Sequence, residues 1–156
     1  MVPICVVMLS LFLSAIVLGD ACGQRQPAPL AEAVINLDDA HDQAAGAQAM
    51  YTIPESSALI VDAGGYTIKV PPQLGIEEPN AIHIIHGKAE YYRASWNGRG
   101  KIVLDRKTLE SLRGPKLFPG FKANGTYVLA IGYERRSGPD QKLNFDALWA
   151  GMVEVR

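Results

Sequence analysis

From Thr126 to Tyr133 the bulky side chains Tyr127, Leu129, Ile131 and Tyr133 alternate with the smaller Thr126, Val128, Ala130 and Gly132. A period of two belongs to an extended strand, whose successive side chains point to opposite faces, so this stretch commits the chain to a sheet with one buried side. The same texture recurs from Ala58 onward. Ala58 to Val61 is apolar and ends at Asp62-Ala63-Gly64-Gly65, and Tyr66, Ile68 and Val70 then alternate with Thr67 and Lys69 until Pro71-Pro72 stops the run. Ala81 to His86 is strand-like. Ala89 to Trp96 and Lys101 to Leu104 flank Asn97-Gly98, a dipeptide that tolerates the positive φ angles of a tight reversal, which predicts a hairpin. Asp105 is placed to cap a short helix over Arg106 to Arg113, with Leu109 and Leu112 on one face and Gly114-Pro115 at its end. A loop at Arg135 to Asp140 then leads to a last strand from Ala147 to Val155, exposed enough to pair with another chain. About seven strands in roughly a hundred residues predict an all-β, two-layer sandwich with one short helix over 58–156.

What precedes this domain reads differently. Val2 to Leu18 contains no charged residue, and the apolar run stops at Gly19, Asp20 and Ala21. It is shorter than the roughly 20 residues a membrane span needs and ends in small residues, the pattern of a secretory signal peptide over 1–21. Residues 22–57 are rich in Ala, Gln, Asp and Pro, a composition that buries little apolar surface and reads as a low-complexity tether. Within it, Ala33 to Leu37 has the character of a short strand and Asp39 to Met50 that of a weak helix.

Charge is unevenly spread. One base stands against six acids between Cys22 and Asp62, and eleven bases against four acids between Lys88 and Arg136. A basic middle of this kind suits an anionic partner or a solvated face.

Two motifs carry resemblances. Leu18 to Cys22 resembles the lipobox of bacterial lipoproteins, which implies a lipidated Cys22 and attachment to a membrane. Gly19 stands where the family has a bulky aliphatic residue, and cleavage near Ala21 leaving a free Cys22 thiol is the other reading. Asn124-Gly125-Thr126-Tyr127-Val128-Leu129 resembles the tyrosine corner of immunoglobulin-like sandwiches, and a Gly-x-Tyr strand entry is shared with transthyretin-like domains. This likeness implies the layered architecture and no binding residue.

Candidate chemistry is sparse. His83 and His86 lie three apart on a predicted strand, so they face opposite ways and do not chelate one ion. One is expected buried and hydrogen-bonded, the other exposed. Asp38, Asp39, His41 and Asp42 gather possible ligands for a divalent ion but lack the glycine-centred loop of a calcium site, so no metal is assigned. No nucleophile elbow, phosphate-cradling loop or His-Glu-x-x-His occurs, and no catalytic residue or cofactor is assigned. Tyr91, Arg93, Trp96 and Arg99 place aromatic and guanidinium groups on and beside one hairpin, a mixture suited to sugar stacking, an anionic envelope polymer or a protein partner. Alternation puts Tyr91 and Arg93 on one face, Tyr92 and Trp96 on the other.

These features predict an exported module of the cell envelope that binds or assembles rather than catalyses, located in the periplasm, on a membrane through a lipid anchor, or outside the cell, with no specific nucleic-acid binding. A small hydrolase with a dispersed site around His83 or His86, and a secreted inhibitor or effector, are the alternative expectations. A concave pocket joining an imidazole to Glu90 or Asp105 would favour the hydrolase.

Overall fold

The computed structural model describes residues 32–40, 49–56 and 58–156. The expected signal peptide, Cys22, His41 and Asp42 lie outside the described residues, as does most of the weak helix expected between Asp39 and Met50.

The described chain is almost entirely β. Its strands are β1 (Glu32–Asn36), β2 (Ala49–Ile53), β3 (Ala58–Asp62), β4 (Ala81–His86), β5 (Glu90–Ser95), β6 (Lys101–Leu104), β7 (Glu110–Ser111), β8 (Gly125–Ser137) and β9 (Lys142–Val155). Three of them form one sheet in the order β1-β3-β6, and six form a second in the order β2-β9-β8-β4-β5-β7. The β1–β3 and β2–β9 pairs are parallel, whereas the other pairs are antiparallel. Leu59, Val61, Ile102 and Leu104 of the smaller sheet and Ile82, Ile84, Tyr92, Leu129 and Ile131 of the larger belong to one buried apolar core. Alternation therefore operates as the residue pattern requires, with one side of each sheet turned to the other.

Several expectations need correction. Nine strands are described rather than about seven: the segment read as a tether supplies β1, where a short strand was expected over Ala33 to Leu37, and β2, which was not expected. Ala33, Ile35, Leu37, Ala49 and Ile53 are all buried. A few apolar side chains at alternate positions are enough to add a strand to a sheet that already exists, even where the surrounding composition is polar. Tyr66 to Val70 is irregular: Ile68 is buried as the alternation predicts, but the segment crosses the end of the sandwich after a turn whose Gly64 and Gly65 amides donate to the Asp62 and Asp38 carboxylates. The helix expected over Arg106 to Arg113 is a single turn. Asp105 does cap it, accepting the Lys107 and Thr108 amides at 2.9 and 2.8 Å, but Leu109 then plunges into the core and Glu110–Ser111 pairs with β5.

The hairpin expected at Asn97-Gly98 is an arch between sheets. β5 pairs with β4 and β7, while β6 pairs with β3. Trp96 turns inward, its indole N–H donating to the Arg99 carbonyl at 3.0 Å, and this carries the chain from one layer to the other. The true hairpin after β5's partner is at Gly87, which joins β4 to β5. The loop expected at Arg135 to Asp140 begins later, since β8 runs on to Ser137, which pairs with Lys142, and leaves Gly138 to Gln141 as the turn. Finally, the last strand is not an edge: β9 lies between β2 and β8, and the edges of the larger sheet are β2 and β7.

Candidate functional sites: an open sheet face and a loop-end cleft

The larger sheet has an outer face, turned away from the core. On it, Met50 stands beside Met152, Met152 beside Val128, Val128 beside Ile85, and Ile85 beside Tyr91. This apolar row crosses five strands, β2, β9, β8, β4 and β5. Met50 is 63% exposed and the other four are half-buried; no described strand lies over them. The Arg113 guanidinium sits 4.7 Å from the centre of the Tyr91 ring, a cation–π contact that caps one end of the row. The outer face of the smaller sheet carries a shorter row, Val34, Ile60 and Val103.

Next to the long row runs a second, Ala150, Ala130, His83, Arg93 and Glu110. His83 is 4% exposed. Phe145, from the β8–β9 arm, stacks on its ring with centres 3.7 Å apart and planes 12° from parallel. His83 Nε2 lies 3.0 Å from Glu134 Oε2. An ionised carboxylate only accepts, so the neutral ring carries its proton on Nε2 and donates it there. Arg93 forms an ion pair with the other oxygen of Glu134 and reaches Glu110 at 3.6 Å. The Glu134 backbone is fixed in turn by Asn80, whose Oδ1 accepts the Glu134 amide at 2.7 Å and whose Nδ2 donates to the Glu134 carbonyl at 2.9 Å. Burial pushes the His83 imidazole below its ordinary range; Glu134 opposes this shift and Arg93 adds to it.

His86 is on the opposite face, as the strand period requires. It hydrogen-bonds Glu90 at 3.1 Å and stacks on Tyr127 with ring centres 4.5 Å apart. The bond to His86 is the main reason that the Glu90 carboxyl is held below the usual carboxylate range. Asp105 is occupied by its own turn, whose Thr108 hydroxyl and amides lower its carboxyl likewise. Neither described cleft is lined by a histidine. Among the described residues, no three His, Cys, Asp or Glu side chains converge as a metal site; Asp38 accepts an amide instead.

The four residues read as one binding set are divided between two places. Tyr91 and Arg93 lie on the outer face, beside the apolar row and within the ion-pair network. Trp96 is 8% exposed and mostly core, with its edge at a cleft of about 650 Å3 at the loop end of the sandwich. Arg99 is at a second cleft of about 290 Å3 that adjoins the first, and pairs with Glu78 at 3.0 Å. Sequence reasoning passed over Glu134, Asn80 and Phe145. Only Glu134 carried a signal, as an acid interrupting a strand otherwise followed by Arg135 and Arg136. No family model, curated protein or solved structure matches the chain.

Proposed function

We propose that this chain is an exported, non-enzymatic binding or assembly module of the cell envelope, lipid-anchored at Cys22 or released by cleavage near Ala21, which docks a protein partner on the outer face of its larger sheet. The observation that carries this reading is the row Met50, Met152, Val128, Ile85 and Tyr91. The solvent side of an antiparallel sheet ordinarily alternates to polar residues, and a contiguous apolar patch rimmed by charge is the mark of an interaction surface. Arg93 and the Arg113–Tyr91 stack supply residue types enriched at the centres of such surfaces.

The histidines favour a module over a hydrolase. His83 is sealed beneath Phe145 and bonded to a carboxylate that an arginine also holds, an arrangement that fixes the sheet and leaves no room for a reacting group. His86 has Glu90 beside it, but no described cleft reaches the pair. The layers are best read as immunoglobulin-like with parallel strands β1 and β2 added; the Tyr127 hydroxyl, which accepts the Lys122 amide at 3.1 Å, supports that reading.

Two measurements test the proposal. Mass spectrometry of the cell-derived protein is expected to find an N-terminus at Cys22 carrying a diacylglyceryl group, or an unmodified one near Ala21, and an intact Met1 in the envelope fraction would overturn the export reading. Cross-linking in cells from positions flanking the row is expected to trap a discrete envelope protein, and Met152→Lys to reduce that product at least tenfold while circular dichroism stays unchanged. Equal cross-linking by the folded variant would refute the docking face.

A further inference from the structure

The two clefts at the loop end are contiguous, sharing a wall built from Glu77, Glu78, Pro79 and Asn97. The larger is a shallow, open depression whose volume lies within the roughly 300–1,000 Å3 range of small-ligand sites. Its floor is apolar and partly aromatic, formed by Ile76, Pro79, Trp96 and Tyr133. Around that floor stand polar groups with hydrogen-bonding capacity to spare. Among the described residues, the Ser95 hydroxyl, the Tyr133 hydroxyl and the Glu77 carboxylate have no partner, and Asn97 uses only its Oδ1, which accepts the Arg99 amide at 3.2 Å. The Asn97 Nδ2 group is therefore free to donate.

Charge narrows the ligand. Among the described residues, Arg99 is the one cation lining either cleft, and Glu78 already neutralises it. A polyanion meets no available positive charge here and two carboxylates. A polycation meets only Glu77 as an unpaired opposite charge, against several neutral hydroxyl and amide groups. The set suits a ligand that is uncharged, apolar on its ring faces and dense in hydroxyls along its edges. Two adjoining clefts further suit a chain of such rings.

The site is also held in shape before any ligand arrives. Trp96 and Asn97 both bond to Arg99 across the turn. Gly98 has φ +75°, and a Cβ there would come 2.8 Å from Pro79 Cγ, so the loop is packed against the opposite wall through a residue that only glycine can be. A rigid loop avoids the ordering cost that weakens sugar binding.

We infer that the loop-end cleft is a binding site for a neutral oligosaccharide, with a ring packed on Tyr133 beside the edge of Trp96 and hydroxyls bonded by Ser95, Asn97 and Glu77. This site is separate from the sheet face proposed for a protein partner and stands or falls independently of it. The test is calorimetric titration of the purified chain with soluble chitotetraose, cellotetraose and maltotetraose, with heparin and octalysine as charged comparisons. Saturable binding of at least one neutral tetrasaccharide is expected, weakened at least tenfold by Asn97→Ala and by Tyr133→Ala, and unchanged by Met152→Lys. Glu77→Gln, at an exposed position that does not threaten folding, is expected to weaken it several-fold. Absence of saturable binding to all three sugars, preference for heparin or octalysine, or full affinity in the folded Asn97 and Glu77 variants would overturn the inference.

Discussion

His83 and His86 occupy one strand three residues apart and meet different surroundings. His83 is buried with its imidazole below the ordinary range, which makes it a pH-dependent element of stability. Above the ordinary value of 6.5 the ring is neutral in both folded and unfolded chains, and its contribution is fully present. As pH falls below that value, the unfolded chain takes up a proton that the folded one refuses, so stability is lost progressively until the lower folded value is reached. Urea denaturation is expected to show the protein less stable at pH 5.5 than at pH 7.5, and His83→Gln, which keeps a donor for Glu134, to flatten that slope. Glu90 and Asp105 do not confound the measurement. Their carboxyls are lowered from the carboxylate range, so the stability they contribute is lost only at more acidic pH. The opposite facing of the two histidines was legible in the sequence, since it follows from the strand period alone. The Glu134 partner was not, because it is 51 residues away and its approach depends on which strands become neighbours.

Elements were legible where a local rule determines them and illegible where the rule leaves a choice. Asp105 was correctly read as a cap, but capping specifies how a turn begins and says nothing of how long it continues; Leu109 ends it by entering the core. Asn97-Gly98 was correctly read as a reversal with positive φ, but turn chemistry does not state which sheet the next strand joins. The stretch from Asn124 to Leu129 is the opposite case, since the motif and the contact of its Tyr127 are both local. Lys122 donates its amide to Tyr127 across five residues. Tyr127→Phe keeps the ring packed against Phe121 and His86 and removes one hydrogen bond, so a loss of about 1 kcal/mol is expected in urea denaturation. A loss indistinguishable from zero would show that the amide finds another partner.

At the scale of the whole molecule, the sequence conveyed strands from Ala58 onward and a short strand over Ala33 to Leu37, but not β2 or the place of either in the two sheets. Composition averages over a window, whereas burial is decided residue by residue, and Ile35 and Leu37 are essentially inaccessible within an otherwise hydrophilic stretch. If 22–57 were only a tether, trimming a side chain there would leave stability unchanged. With β1 paired to β3, Ile35→Ala is instead expected to cost about 2–5 kcal/mol, the range for emptying a buried aliphatic position, read as a shift of the denaturation midpoint.

The position of β9 between β2 and β8 has a consequence in time. The seat beside β2 and β8 stays vacant until the ninth strand has left the ribosome, and β2 has no other neighbour among the described strands to wait with. β2 therefore joins the broad layer only through a strand about a hundred residues further along the chain, the least local pairing among the described strands, and these two strands are expected to order last.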